Sequence, residues 1–340
     1  MQATEESAAE AVPASVGITM EETLIDPCLY LAEMPFSATY FPLGFPLQIR
    51  TNTHEVLAAA KESWGTFEQR VEMPPIRMQV GLRDGPSVCP GIMVPRGHKH
   101  LLMGIADAYN FFVMDLKKDL SFAWISPGAV AHRRYLRYCV LESCMLSHIA
   151  NRYAAPVHAA CVSRDGRGVL LCGKSGMGKS TLAFGCARAG WTYTSDDASY
   201  LVYGRSDRQV LGRCNSIRLR PSAADLFSEV KGRPLTPRMQ GKPSIEIETR
   251  ELPAFQTSVE TRADFMVFLN RRPGASQELA PFPRELAHAY LKQHLNWDEE
   301  LRREQVASVE RMLSAEIYEL RYHDLAWAID RLEHLVRENR

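Results

Sequence analysis

Apolar and polar residues follow short repeating patterns along the first 150 residues, and these patterns predict a mixture of strands and helices. Strict alternation is typical of a half-buried strand, whereas apolar residues three or four positions apart are typical of a helix. The predicted strands cover residues 45–50, 76–80, 111–116 and 120–125, and the predicted helices cover 53–61 and 134–152. The last two strands are predicted to form a hairpin around Lys117-Lys118-Asp119. Asn52 or Thr53 is the expected N-cap of the first helix.

A second series of patterns begins near Pro156. The predicted strands cover residues 157–162, 169–172, 191–194, 198–203, 208–212, 245–248, 265–269 and 317–320, and the predicted helices cover 179–189, the region after about 283, and 324–337. A chain of 340 residues is too long for one ordinary core. We therefore predict a disordered, Ala-, Ser- and Glu-rich tail at 1–18, an α+β domain at 19–150, and a second domain at 151–340.

Composition narrows the functional classes. Hydrophobic residues make up 46% and charged residues 24% of the chain, as in soluble globular proteins, and the net charge is zero, which argues against a nucleic-acid partner. The N-terminus lacks the pattern of a secretory signal. The chain contains no stretch of about 18 apolar residues, so no membrane partner is expected. The eight cysteines form no C-x-x-C pair and several lie in apolar runs. Reduced cysteines and a cytoplasmic location are therefore expected.

A glycine-rich segment lies between the predicted strand 169–172 and the predicted helix 179–189. It reads Gly173-Lys174-Ser175-Gly176-Met177-Gly178-Lys179-Ser180 and matches G-x-x-x-x-G-K-[ST] at every position. Such a P-loop wraps phosphate oxygens, and the following helix directs N–H groups and its positive end at them. Residues 173–180 and Thr181 are predicted to bind a nucleoside triphosphate, with Lys179 on the β- and γ-phosphates and Ser180 on Mg²⁺. A chance glycine-rich turn would not explain both flanks.

Two adjacent acids, Asp196 and Asp197, follow the short predicted strand 191–194. A P-loop enzyme needs a carboxylate near its metal ion, but the apolar strand 265–269 ends in Asn270 and carries no acid. One helix and one strand separate the loop from the Asp pair, so the pair is predicted to lie beside the triphosphate. One carboxylate would hold the metal ion and the other would accept a proton from an attacking hydroxyl. A solvated turn is the alternative.

Three segments taken together resemble the catalytic domain of the HPr kinase/phosphorylase family: Val157-His158-Ala159-Ala160, the P-loop, and Thr194-Ser195-Asp196-Asp197. The resemblance covers about residues 155–230. That family modifies a serine of a carrier protein of bacterial sugar uptake. The resemblance implies an α/β fold with α+β character, in which the P-loop lies in a mixed sheet similar to that of the ATP-dependent phosphoenolpyruvate carboxykinases. The smaller α+β domain predicted at 19–150 would precede it, although the first 150 residues do not resemble the family's usual N-terminal domain.

The same resemblance implies roles for individual residues. Lys179 and Ser180 would take the phosphate and magnesium roles, and ATP and Mg²⁺ would be the cofactors. Asp197 would be the base and Asp196 its partner and a metal ligand, although the two could exchange roles. His158 would be an accessory group near the transferred phosphoryl; a lone histidine in an apolar stretch is otherwise a structural residue. Members of the family are often oligomers, so a homo-oligomer is compatible with the resemblance.

The chain also departs from the family pattern. Ala159 replaces a glycine, and Lys174 replaces the usual aspartate of the loop. The signature E-[IVL]-R-G-[LIVM]-G, which supplies a second metal-binding carboxylate and belongs to the phosphorylase machinery, is missing, and residues 215–221 stand in its place. A divergent relative with an acceptor other than the carrier protein is therefore expected.

Several further residues are weaker candidates. Arg213, Arg218, Arg220 and Lys242 could contact the γ-phosphate or the acceptor, because arginine suits bidentate contact with an oxyanion. His98-Lys99-His100 lacks a third metal ligand and is interpreted as a surface turn. The C-terminal helices carry apolar residues at helical spacing and are expected to form core or subunit contacts. These residues are Leu286, Tyr290, Leu291, Leu295, Leu325, Ile329, Leu332 and Leu335.

The function favoured by these observations is an ATP-dependent phosphotransferase that moves the γ-phosphoryl group to a hydroxyl, with a serine of a protein or peptide as the first choice. A kinase of a small metabolite is one alternative. A nucleotide-sensing module without catalysis is another, although sensing would not need the Asp pair. An ATPase coupled to motion is not favoured, because it would be expected to have a distal apolar strand that ends in an acid.

Overall fold

The computed structural model describes residues 32–205, 207–236, 243–274, 276–293 and 299–338. The tail predicted at 1–18, together with Cys28, Lys242 and Leu295, lies outside the described residues. Within them the chain is a mixed α/β protein whose two large sheets each contain parallel and antiparallel strand pairs.

The first sheet has seven strands in the order β1-β2-β3-β7-β6-β5-β4. They are β1 Phe36–Tyr40, β2 Leu47–Thr51, β3 Ile76–Leu82, β4 Val94–His98, β5 Leu101–Ile105, β6 Phe111–Asp115 and β7 Leu120–Ile125. Alternation places Leu47 and Ile49 in the core while Arg50 is exposed. The predicted strands and the β6–β7 hairpin are confirmed. The sequence analysis missed β1, β4 and β5. Strand β4 contains Pro95 and Gly97 and is exposed along its length, so it has no alternating pattern.

Two helical regions cover this sheet. Helix α1 (His54–Trp64) begins after Thr53, whose hydroxyl accepts the N–H of Glu55 at 3.3 Å, so Thr53 is the N-cap. The second region comprises α2 (Pro127–Ala131), α3 (Arg133–Tyr135), a π-helical stretch Leu136–Glu142 and α4 (Ser143–Arg152). We call residues 133–152 the helical segment. Its predicted apolar positions are all fully buried: Leu136, Val140, Met145 and Ile149.

The second sheet has ten strands, eight of them in the order β16-β11-β9-β10-β17-β13-β12-β8, with β19 beside β17 and β18 beside β19. The bounds are β8 Ala154–Val157, β9 Ala159–Arg164, β10 Arg167–Cys172, β11 Thr192–Ser195, β12 Ser199–Val202, β13 Gln209–Gly212, β16 Gln256–Thr257, β17 Glu260–Arg271, β18 Glu278–Pro281 and β19 Glu316–Tyr322. A separate pair is formed by β14 Ser216–Leu219 and β15 Ile245–Glu248.

One strand prediction in this region was wrong. Residues 157–162 do not form a single strand, because the chain breaks at His158 into β8 and β9, which pair with different neighbours. The carbonyl of His158 accepts the hydroxyl of Tyr290 at 2.5 Å instead of joining a ladder. The break turns the imidazole toward the glycine-rich loop.

The remaining helices are α5 (Lys179–Arg188), α6 (Arg284–Lys292), α7 (Glu299–Met312) and α8 (Leu325–Glu338), with 3₁₀ turns at Pro42–Gly44, Pro221–Asp225, Ser228–Val230 and Thr249–Glu251. Leu291, Leu332 and Leu335 are buried as expected. Leu286 is 56% exposed and is not part of the core, so for this residue the alternative of a subunit contact stays a prediction. Leu286 and the buried Leu291 lie on different faces of the same helix, α6. No helix in the described part of the chain is long and apolar enough to cross a membrane.

The two sheets share one hydrophobic core. A single cluster of buried side chains extends from Leu43 and Ile49 of the first part to Val267 and Leu332 of the second. Ion pairs also join the parts, among them Arg213–Glu142 at 2.6 Å. Because the core is continuous, the division of the chain at residue 150 stays a prediction. The seven cysteines within the described residues are all free thiols, as expected.

Candidate functional site

A glycine-rich loop joins strand β10 to helix α5 and forms the floor of the site. Gly178, the last loop residue, has a φ of 95°, in the left-handed region that favours glycine. A Cβ atom there would lie 2.6 Å from the hydroxyl oxygen of Tyr322. That hydroxyl donates to the carbonyl of Met177 at 3.1 Å and ties the loop to β19. Only glycine therefore fits both the backbone conformation and the space.

Helix α5 begins directly at this loop without a capping side chain. The first N–H groups of a helix have no partner within the helix, and its macrodipole places positive charge at the same end. Lys179, Ser180 and Thr181 form this first turn. Lys174, Ser175 and Gly176 are exposed at the rim of the loop. The loop and the helix end together therefore form a site suited to an anion.

The side chain of Lys179 reaches back to the start of the loop. Its ammonium Nζ donates to the carbonyl of Gly173 at 2.7 Å and to that of Lys174 at 3.3 Å, and the residue is only 5% exposed. Burial lowers the pKa of Lys179, whereas the charge of nearby Asp197 acts in the opposite direction. The ammonium is therefore poorly solvated and would gain from an anionic ligand.

His158 connects Lys179 to Asp197. Its Nε2 lies 3.0 Å from Nζ of Lys179, and its Nδ1 lies 3.0 Å from the carbonyl oxygen and 3.4 Å from Oδ1 of Asp197. An ammonium can only donate, so Nε2 must accept and Nδ1 carries the proton. The sequence analysis could not choose between a structural and a functional role for His158. The structure places it between the two residues expected to act on phosphate and hydroxyl.

The Asp pair follows β11, and its two side chains point to different sides. Asp197 is 56% exposed and faces His158. Asp196 has its carboxylate turned to β14, where it accepts the N–H of Arg218 at 2.7 Å. Its main-chain carbonyl, and not its carboxylate, accepts the hydroxyl of Ser180 at 3.3 Å. The metal role of Asp196 and the base role of Asp197 stay predictions.

Burial raises the pKa of Asp196 to about 6, and the charge of Asp197 adds to the shift, while the N–H of Arg218 opposes it. An unfolded aspartate titrates near pH 3.9. Between about pH 4 and 6 the folded protein therefore keeps a proton that the unfolded chain has released, so stability falls as the pH rises through this window. At pH 7 the ionised carboxylate costs the folded state about 2–3 kcal/mol.

Replacing Asp196 by asparagine is expected to stabilise the ligand-free protein at pH 7 by about 1–3 kcal/mol, because the amide oxygen still accepts the N–H of Arg218 without a buried charge. The loss of stability between about pH 4 and 6 should also be smaller. Urea unfolding at several pH values measures both effects. Asp330→Asn, at a carboxylate on α8 that is 68% exposed, is the control and should change neither. Identical pH curves for Asp196→Asn and the wild type would contradict the assignment.

Tyr290 is a site residue that the sequence analysis placed in the core or a subunit contact. From helix α6 its hydroxyl reaches the N–H and the carbonyl of Gly173, each at 3.2 Å, and it donates to His158 as described above. It thus fixes the start of the loop relative to the histidine. The only signal in the sequence was a polar atom on an otherwise apolar helix face.

The basic candidates divide into different roles. Arg213 is committed to Glu142, and Arg218 lies 3.6 Å from Glu246 with its guanidinium 4.6 Å from the ring centre of Tyr138. Nη1 of Arg220 is buried and forms no hydrogen bond within the described residues. Asn270 does not end its strand as expected but lies inside β17, which continues to Arg271, and its side chain donates to Glu319 of β19 at 2.8 Å. The turn at His98-Lys99-His100 is confirmed and joins β4 to β5.

A cavity of about 260 Å³ opens beside the Asp pair. Its apolar wall comes from the first part of the chain, including Leu43, Trp64 and Leu146, and its polar wall includes Asp197 and Arg218. Asp197 therefore lies between the anion site of the loop and a cavity that a second molecule could enter. The sequence analysis left the role of residues 20–150 open.

The oxygen atoms around Ser180 fit a magnesium ion in kind. Magnesium prefers oxygen ligands and is commonly held by one or two carboxylates plus the phosphates of the nucleotide. The Ser180 hydroxyl and the main-chain carbonyl of Asp196, 3.3 Å apart, provide oxygen atoms of this kind. No group of three or more His, Cys, Asp or Glu side chains within the described ranges could hold a metal ion alone.

Comparisons with known proteins leave the family open. No protein-family model and no curated protein matches the chain. Among solved structures, the HPr(Ser) kinase/phosphatase from Coxiella burnetii is similar over 54% of this chain and 95% of that chain. The sequence identity is 14% and the TM-score is 0.31. Similarity at this level does not establish a shared fold or activity, so the functional argument rests on the geometry of the site.

Proposed function

We propose that the protein is an ATP-dependent kinase that transfers the γ-phosphoryl group to a hydroxyl, with a serine of a protein or peptide as the acceptor. The observation that carries this proposal is the array Lys179–His158–Asp197. It joins an uncapped helix N-terminus, which suits an anion, to a carboxylate that lines a cavity. A nucleotide sensor would need the anion site but not a carboxylate on the far side of it.

The loop and the first turn of α5 would bind the triphosphate through N–H groups, and Lys179 would contact the β- and γ-phosphates. Ser180 and Asp196 would hold Mg²⁺, which supplies neutralisation of the phosphate charge when bound. His158 would hold the side chains of Lys179 and Asp197 in fixed positions relative to each other. Tyr290 would fix the start of the loop. These residues position the reactants, which is the main contribution that a protein makes to phosphoryl transfer.

In the transfer step the hydroxyl oxygen of the acceptor forms a bond to Pγ. The bond between Pγ and the oxygen that bridges it to Pβ breaks, and both of its electrons leave with ADP. The hydroxyl proton passes to the carboxylate of Asp197. The products are the phosphorylated acceptor and ADP. The exposed position of Asp197 supports this role, because a base must reach the acceptor.

A small metabolite is the second candidate acceptor, and the small volume of the cavity beside the Asp pair, about 260 Å³, favours it. Phosphoryl transfer from γ-labelled ATP separates the two. Wild-type protein, Mg²⁺ and labelled ATP are added to a desalted lysate of the source cell and, separately, to its small-molecule fraction. Label in a protein or peptide supports the first acceptor, and label in a small compound supports the second.

Two variants make this experiment specific. Label that appears with the wild type and with Asp330→Asn but not with Lys179→Met or Asp197→Asn would establish transfer by this site. If no label moves in either fraction while ATP binds tightly to the wild type, the sensor interpretation replaces the kinase.

A further inference from the structure

A second and larger cavity, of about 950 Å³, adjoins the site. It lies between the face of strands β4–β6 and the helical segment, and we call it the groove. Asp197, Tyr138, Leu146 and Arg218 line both the groove and the smaller cavity. The two spaces are therefore neighbours at Asp197. Pockets that bind small molecules range up to about 1,000 Å³, so the combined space exceeds the needs of a small metabolite.

The sheet side of the groove is apolar. Pro95, Leu102, Phe112 and Met114 line it together with Gly104. A Cβ atom on Gly104 would lie 2.4 Å from the ring of Phe112, so the missing side chain lets this ring lie against the strand. The resulting wall is smooth and can contact apolar side chains of different shapes.

The charged side chains of the groove are mostly basic. Among the described residues that line the groove, Asp197 is the one carboxylate. The arginines that line it are Arg96, Arg133, Arg134 and Arg218. Arg133 is neutralised by Glu55 and Glu62, and Arg218 lies near Glu246. Arg96 and Arg134 are exposed, and neither forms an ion pair with any described residue. The groove thus offers two uncompensated guanidinium groups beside an apolar wall.

We propose that the groove binds an extended, acidic segment of the acceptor peptide, which presents its serine to Asp197. Apolar side chains of the segment pack on the β4–β6 wall, and its carboxylates pair with Arg96 and Arg134. Arginine suits such contacts because its planar guanidinium binds a carboxylate through two hydrogen bonds. The inference rests on the proposed transfer to a peptide serine and adds the acceptor's charge and its docking surface.

A peptide library tests the specificity. Peptides with one central serine and randomised flanking positions, free of other hydroxyl residues, are incubated with the full-length protein, Mg²⁺ and γ-labelled ATP. We expect the labelled fraction to be enriched in Asp and Glu on one side of the serine. The double variant Arg96→Glu/Arg134→Glu should reverse this selection toward Lys and Arg. The control, Arg302→Glu/Arg303→Glu, makes the same charge change on α7 outside the groove and should keep the acidic selection.

A binding measurement separates failure of the groove from failure of the kinase proposal. Two fluorescent peptides are compared by anisotropy, one with a serine among alternating Asp and Leu and its counterpart with Lys in place of Asp. We expect the wild type to bind the acidic peptide at least about tenfold more tightly and the double variant to reverse the order. Binding without transfer would support the groove and contradict the kinase. Transfer without acidic selection, or equal affinities for both peptides, would overturn the groove proposal.

Discussion

Replacing Lys179 by methionine is expected to lower the rate of phosphoryl transfer by about 10²–10³-fold, equivalent to about 3–4 kcal/mol of transition-state stabilisation. The ammonium is held over the mouth of the loop by the carbonyls of Gly173 and Lys174 and is poorly solvated. It is therefore preorganised to meet the charge that develops on the phosphates. Methionine keeps the length of the side chain and removes the charge. ATP affinity should also fall by about tenfold or more.

Stability measurements show whether this loss reflects the site or unfolding. Burial opposes the charge of Lys179, but methionine also removes its hydrogen bonds to Gly173, Lys174 and His158, so the two effects on stability oppose each other and the variant should unfold near the wild-type temperature. Lys61→Met, at an exposed lysine of α1, is the matched control and should keep both ATP affinity and transfer. Full transfer by Lys179→Met would remove the loop from the mechanism.

Replacing Asp197 by asparagine is expected to lower transfer by about 10²–10⁴-fold while ATP still binds. The amide has nearly the shape of the carboxylate but cannot accept the hydroxyl proton. It also removes a negative charge close to the triphosphate site, so ATP affinity should stay the same or increase. Titration calorimetry with a non-hydrolysable ATP analogue gives the affinity, and single-turnover kinetics give the transfer rate.

The neighbouring acid provides the comparison that assigns the roles. Asp330→Asn should transfer at the wild-type rate. If Asp196→Asn transferred no phosphoryl group and Asp197→Asn transferred it at the wild-type rate, the two acids would have exchanged roles. If ATP binding were lost with Asp197→Asn, this residue would contribute to the nucleotide site instead of acting as a base.

Much of the fold follows from local patterns. Alternation predicted the strands that have one buried and one exposed face, such as β2 and β3, and the spacing of Leu136 and Val140 predicted the helical segment. Strand β4 has no such pattern, because its side chains are exposed on both faces and Pro95 and Gly97 interrupt it. It forms at the edge of the sheet only because β5 is there to pair with it.

In the site, too, some features could be predicted from local sequence and others depend on contacts between distant residues. The loop could be predicted because a turn of positive-φ glycines and the helix after it occupy one short stretch of chain, within which geometry depends on nearest neighbours. The break of the strand at His158 could not be predicted from the local pattern. It depends on Tyr290, which is 132 positions away and reaches the histidine only after helix α6 packs on the sheet.

The sequence by itself thus determined that a glycine-rich loop precedes a helix and that two acids lie one helix and one strand farther on, because those relations are covalent and short. Tertiary structure decided which way each acid faces. The N–H of Arg218 draws the carboxylate of Asp196 toward β14, and His158 meets Asp197 on the other side. It also brought the first sheet and its helical segment to the site through a shared core. The hydrophobic effect has no preferred direction, so the sequence around an apolar residue does not indicate which distant surface that residue will contact.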